Sequence, residues 1–184
     1  MQDLSSLFGD ADFRVFRQIV ETGGVVRALV IEQGAAQSRR FFTELESWAT
    51  EAGGAGLAWL TTTADGFGGP IARALGQELA TRIVAATDAG EGSAILLFAG
   101  PEAATASLGG ELRLHLADLL SMRQEGVFRF CWIVDFPMYA ADEETGGIDF
   151  CHNPFSMPQG GLQALVEQSP LDILANQYDI VVNG

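Results

Sequence analysis

Residues 128–158, FRFCWIVDFPMYAADEETGGIDFCHNPFSMP, set the terms on which the rest of the chain is read. The run 128–136 is apolar almost throughout, rich in aromatic and β-branched residues, and reads as a buried strand closed by Pro137. Residues 141–147 hold Asp142, Glu143, Glu144 and two glycines, as a hairpin tip or long turn does. Residues 148–151 begin a returning strand. That strand delivers His152 and Asn153 to its end, just before Pro154, and proline confines the residue ahead of it to an extended backbone. An imidazole held there can present itself to an anionic ligand and change charge near neutral pH; from the residues alone, a structural histidine is the commoner outcome. Asp135 closes the first strand, where it either caps backbone amides or buttresses a site, and the residues leave both open.

Upstream, hydrophobic periodicity switches regularly between helix and strand. Residues 12–22 predict a short helix with Asp12 as N-cap and Phe13, Phe16 and Val20 at helical spacing, stopped by Gly23 and Gly24. VVRALVI (25–31) predicts a strand. Ser38 is placed to cap a helix running to Ala52, with Phe41, Phe42, Leu45, Trp48 and Ala49 as its apolar stripe. A strand follows at 57–62, then a glycine-rich turn at 65–69, with Pro70 suited to the first turn of a helix that continues through 78–86. Residues 94–99 are apolar throughout and read as a strand. Residues 101–120 read as a helix turning Leu112, Leu116, Leu119 and Leu120 to a core. The alternation predicts an α/β (α+β) domain of two layers, helices packed on one sheet. Near the end, Ser169 and Pro170 open an expected last helix near 171–176, and 178–182 is strand-like. Stopping at Asn183-Gly184 on a strand, with no polar tail, suggests a cut inside a domain.

Composition narrows the function classes. An apolar fraction of 48% supports a real core. Ten basic residues, all arginine, face 24 acidic ones for a net charge of −14. Nucleic-acid affinity rests on neutralising phosphates with Lys and Arg, so this surface is not expected to supply the main contact to a polyanion. No apolar run reaches the roughly 18–20 residues a membrane-spanning helix needs, and the N-terminus lacks the pattern of a secretory signal. Cys131 and Cys151, both with apolar or aromatic neighbours, read as buried thiols of a reducing cytoplasm. Three candidate ligands, Cys131, Cys151 and His152, fall short of the four a structural zinc site wants. The glycine clusters at 53–56, 66–69 and 90–92 read as turns, since a phosphate-cradling P-loop requires a lysine and the chain has none. His115, among helical leucines, reads as half-buried or on the surface.

Motif order then points to a family. Phe13-Arg14-Val15-Phe16, Gly24 through Leu29, Ser38-Arg39-Arg40, Gly56-Leu57-Ala58-Trp59, Gly69-Pro70-Ile71-Ala72, Leu96 through Gly100 and Leu108 through Leu114 together resemble the GAD domain. That α/β insertion occurs within bacterial aspartyl-tRNA synthetases and is shared with some tRNA-dependent amidotransferase subunits. The resemblance assigns 7–122 to the GAD domain. Residues 130–137, 152–158 and 178–184 are similar to the catalytic segment that follows it, assigning 123–184 to part of a class II synthetase catalytic domain, an antiparallel sheet flanked by helices. The implied activity is activation of L-aspartate with ATP and magnesium to an aspartyl-adenylate, followed by transfer to tRNA. The resemblance makes His152 the histidine that contacts bound L-aspartate, with Asn153 and Asp135 as supporting candidates. Many relatives carry a second histidine where this chain has Asn153; an amide can donate there but cannot titrate. The implied longer enzyme is a cytoplasmic homodimer that does not engage a membrane.

The same resemblance places the anticodon-binding domain, the dimer-forming motif and one ATP-gripping arginine motif ahead of residue 1. It places a Gly-Gly-Gly-Ser strand and the final arginine motif after residue 184. The 184 residues alone are therefore expected to be inactive, to hold neither ATP nor magnesium, and to be monomeric. The alternative is a free-standing, non-catalytic GAD-type module that docks on tRNA or a partner protein.

Overall fold

The computed structural model describes residues 1–142, 145–151 and 153–183; His152, Glu143, Glu144 and Gly184 lie outside the described residues. The chain divides into two compact units, Met1–Arg123 and Gln124–Gly184.

In the first unit the elements run β1 (Gln2–Asp3), α1 (Arg14–Glu21), β2 (Val25–Ile31), α2 (Arg39–Glu51), β3 (Ala58–Thr63), β4 (Gly66–Gly68), α3 (Ala72–Thr87), β5 (Ala94–Gly100) and α4 (Glu102–Leu119). The sheet has the order β1-β2-β5-β3-β4 with every neighbouring pair antiparallel. The last strand of the main three, β5, inserts between β2 and β3. It pairs with β2 along its whole length, Val25 opposite Gly100 and Ile31 opposite Ala94.

Side chains alternate across a strand, and both faces of this sheet are covered. Val26, Ala28, Leu60, Ile95 and Leu97 pack with Phe16 of α1 and Leu75, Leu79 and Ile83 of α3. Leu29, Ile31, Leu96 and Phe98 pack with Phe42 and Leu45 of α2 and Leu108, Leu112 and Leu116 of α4. The sheet-plus-helix class holds, but the helices divide between two faces, one layer more than periodicity suggested. The physical reason is legible in β5: a strand apolar at every position is buried on both sides. Each such buried side chain contributes about 1.5–3 kcal/mol.

Local chemistry explains the helix starts. Ser38, extended at φ −70°, accepts a hydrogen bond on its side-chain oxygen from the Phe41 amide at 3.2 Å, satisfying one of the open donors of α2. By contrast, α1 begins one residue later than its spacing implied: Phe13 occupies the N-cap and no side chain caps it, so Asp12 is not the cap. Helix α3 starts at Ala72 and is interrupted at Gly76, whose φ of 72° no other residue adopts cheaply. The expected turn at 65–69 contains β4, joined to β3 by the two-residue loop Ala64-Asp65. Leu119 is exposed instead of facing the core. His115 is half-buried and stacks on Trp48, ring centres 4.4 Å apart.

The second unit is built from short pieces: β6 (Phe130–Ile133), β7 (Tyr139–Ala141), β8 (Ile148–Phe150), α5 (Gly161–Glu167) and β9 (Asp179–Val182). The long strand expected at 128–136 is corrected. Only Phe130–Ile133 is strand, it pairs with β9, and all four of its residues are exposed. The returning strand β8 pairs instead with β7, Tyr139 opposite Phe150. A two-stranded ribbon covers neither of its own faces, so apolar residues in β6 do not become core. Cys131 is accordingly exposed and Cys151 half-buried, against the expectation of buried thiols; both are free. The helix expected near 171–176 is instead a single 3-10 turn at Pro170–Asp172 followed by extended chain.

Candidate functional site

The residues singled out beside His152 belong to a small knot of extended chain in the second unit. Its centre is the stretch 173–176, which carries a neighbour on each side. On one side the Met138 amide donates to the Ile173 carbonyl (2.8 Å) and the Ala175 amide to the Phe136 carbonyl (2.7 Å). On the other, the Gln159 amide donates to Leu174 (2.7 Å) and the Asn176 amide to Met157 (2.8 Å).

Those bonds flank two bridges, Pro137 opposite Leu174 and Pro158 opposite Ala175. In an antiparallel pair, alternate opposed residues exchange no hydrogen bonds. Both prolines occupy such positions, where a missing N–H costs nothing. The prolines of the Asp-Phe-Pro and Ser-Met-Pro stretches thus fit the knot instead of breaking it. Met138, Ile173 and Ala175 form its buried core, with Tyr139 packed against them.

Asp135 sits at the edge of this knot. Its φ of 59° is left-handed, a conformation aspartate tolerates better than most residues, and this turns the chain out of β6. Its Oδ1 accepts a hydrogen bond from the side-chain amide of Gln159 at 2.7 Å, and the same amide reaches the Ala175 carbonyl at 3.3 Å. Asp135 therefore ties the end of β6 to the stretch carrying Pro158. Asn153 is exposed, and its carbonyl accepts from the Ser156 amide at 3.1 Å. The Ser156 hydroxyl in turn approaches Gln177 Oε1 at 3.4 Å. The loop after position 152 is thus fastened at Ser156, Met157 and Gln159 to the chain at 174–177. The geometry brings Asp135 and this loop into one framework; the candidate His152 itself lies outside the described residues.

Gln159 is the residue that sequence reasoning missed. It belongs to no motif, and the only available signal is its place directly after Pro158, where a backbone amide bonds across the bridge. Among the described residues no three His, Cys, Asp or Glu side chains converge as metal ligands.

Similarity to known proteins follows this division. The GAD-domain family model matches residues 16–108. The chain belongs to the GAD-domain family. Its likeness to known proteins continues beyond that domain. The Aspartate--tRNA(Asp/Asn) ligase of Zymomonas mobilis is 45% identical over 184 residues, all of this chain and 31% of that protein. The Aspartate--tRNA ligase of Streptomyces coelicolor is 46% identical over 183 residues, 99% of this chain and 30% of that protein. The corresponding ligase of Streptomyces griseus is 48% identical over 183 residues. The chain thus spans about 30% of the length of the curated relatives it matches, and the resemblance to aspartyl-tRNA synthetases stands in both units. Relatives named Aspartate--tRNA(Asp/Asn) ligase and relatives named Aspartate--tRNA ligase match at the same level.

Proposed function

We propose that this GAD-family chain forms part of an aspartate–tRNA ligase, an enzyme that activates L-aspartate with ATP and passes it to tRNA. The observation that carries the reading is that whole-length likeness to such ligases continues past residue 108 through the second unit. A binding module alone has no use for the knot around Pro137 and Pro158, which makes a free-standing docking protein the weaker reading.

In this reading His152 donates a hydrogen bond to the aspartate substrate, a charge-assisted contact of the stronger kind. Asn153 offers an amide beside it, able to donate at any pH. Asp135 acts at one remove: by holding Gln159 it fixes the loop that presents positions 152 and 153, so it is a positioning residue. ATP supplies the phosphoanhydride bond that drives the activation. Magnesium would bind chiefly through the ATP phosphates and water, and this chain's own part in the reading is to hold aspartate.

Activation also needs cationic groups around the phosphoryl oxygens. Residues 124–184 contain no lysine and a single arginine, Arg129. The 184 residues alone are therefore expected to be inactive. The test is aspartate-dependent exchange of pyrophosphate into ATP: the isolated chain gives none, whereas robust exchange would overturn the division of labour proposed here. The intact ligase is taken to be a cytoplasmic homodimer, with the isolated chain monomeric. No helix among the described residues is long and apolar enough to cross a membrane.

A further inference from the structure

The first unit holds a cavity of about 560 Å³ between α2 and the β3–β4 hairpin. Its volume falls within the roughly 300–1,000 Å³ of small-molecule sites. Three features make it a built site. Along α2, Arg39, Thr43 and Glu46 follow one another at helical spacing on the cavity wall. Arg40 is taken by Glu44 at 2.7 Å, but Arg39 makes no ion pair among the described residues. Across from them, β3 contributes Trp59 and Thr61 from one face of the strand. Thr61 is only 8% exposed, yet its hydroxyl has no hydrogen-bond partner among the described residues. That hydroxyl lines the cavity wall, free to donate to or accept from a ligand.

The aromatic wall is held rigidly. Trp59 stacks face to face on Phe42 with ring centres 4.0 Å apart, and its indole N–H donates to Glu46 Oε1 at 2.9 Å. The other carboxylate oxygen of Glu46 is left to accept from something else. Two glycines keep the space clear. A Cβ on Gly69 would lie 2.9 Å from Trp59 Cε3, and one on Gly68 would lie 2.6 Å from Thr61 Oγ1. Any other residue at either place would crowd the groups that line the cavity.

We propose that this cavity binds a nucleotide whose base carries an exocyclic amino group. An unpaired guanidinium calls for an anion, an aromatic wall for a planar ring, and a half-used carboxylate for an N–H donor. From Arg39 to Glu46 is seven helical steps, about 10 Å along α2, comparable with the span from a nucleotide's phosphate to the far edge of its base. The phosphate meets Arg39, the ring lies against the Trp59–Phe42 pair, the amino group donates to Glu46, and Thr61 bonds a base or sugar oxygen. A phosphate or a small carboxylic acid alone leaves the aromatic wall and Glu46 unused. The chain's net charge of −14 opposes a long polyanion but not one phosphate on a free guanidinium. The ligand is either a free nucleotide or a nucleotide within a single RNA strand, and the binding chemistry is the same for both. This inference is independent of the role proposed for His152.

The test follows the indole N–H resonance of Trp59 in the 184-residue chain, assigned by its loss in Trp59→Phe, during titration. The probes are cytidine, adenosine and uridine 5′-monophosphates and the RNA hexamer CCCCCC. Cytidine and adenosine monophosphates are expected to shift it, with uridine monophosphate about tenfold weaker because its carbonyl opposes the Glu46 carboxylate. Arg39→Gln should weaken cytidine monophosphate about tenfold or more. Thr61→Val, close in shape, should keep the fold and weaken binding. Tighter binding of the hexamer identifies an RNA strand as the source, and no gain identifies a free nucleotide. A resonance unmoved by millimolar nucleotide, equal affinity for uridine and cytidine monophosphates, or binding that survives Arg39→Gln overturns the proposal.

Discussion

Two stretches of nearly equal apolarity meet opposite fates in this chain. In β5, Ile95, Leu96, Leu97 and Phe98 are each 0% exposed; in β6 and β9, Trp132 and Ile180 are 59% and 57% exposed. The difference lies in what surrounds them. The first unit interleaves its helices with its strands, so each sheet face receives two helices and a core of its own. The second unit pairs strands in twos and has one short helix, of which only Ala164 is buried while Leu162 and Val166 stay exposed. Apolar sequence is therefore a potential for burial, realised only where a second layer is supplied. An exposed apolar surface of this extent marks a face made to pack against something else.

The sharpest way to break this contrast is a pair of truncations. Leu112→Ala empties a fully buried position under α4 and is expected to lower stability by about 2–5 kcal/mol in urea unfolding. Trp132→Ala removes a larger side chain from β6 yet should change stability by under about 0.5 kcal/mol. Equal losses would show that the ribbon is as well packed as the sheet. Within the second unit, Asp135→Ala removes the bond to Gln159 and leaves alanine at a left-handed φ. A loss of about 1–2 kcal/mol is expected, read as faster amide exchange around Pro158.

The smallest effect concerns pH in the first unit. Hydrogen bonds from the Ser5 hydroxyl (2.6 Å) and amide (2.8 Å), assisted by Arg27 at 3.0 Å, hold the Asp3 carboxyl below its usual range. A carboxylate depressed by folding stabilises the folded state above the unfolded-state value near 4 and loses that contribution as pH falls through its lower folded value. Acid titration should therefore weaken the docking of β1 on β2, and Asp3→Asn should remove that part of the pH dependence.

Much of the first unit was legible because its signals were local. The β-branched run of β2, the unbroken apolar run of β5 and the Ser38 cap each determine an element by themselves. Strand β4 escaped notice because Gly66 and Gly68 carry turn signals and little strand propensity, and only pairing with β3 makes them strand. Helix α5 was hidden for the same reason, since Gly160 and Gly161 at its start read as breakers. In the second unit, Pro137 and Pro158 resemble strand endings until their non-bonded register is seen. Asp135 was visible as a residue of unsettled role, while its partner Gln159 was not, because a side-chain contact across 24 positions leaves no pattern in sequence. The cavity beside α2 draws on separate segments around Arg39, Trp59 and Gly69, and no motif joins them.

The assignment of the second unit to an aspartate site is tested most directly by aspartate-dependent ATP–pyrophosphate exchange in the full-length ligase carrying His152→Ala. Loss of one charge-assisted contact should raise the KM for aspartate about tenfold or more while leaving the KM for ATP unchanged. An unaltered KM for aspartate would contradict the placement of that imidazole against the substrate.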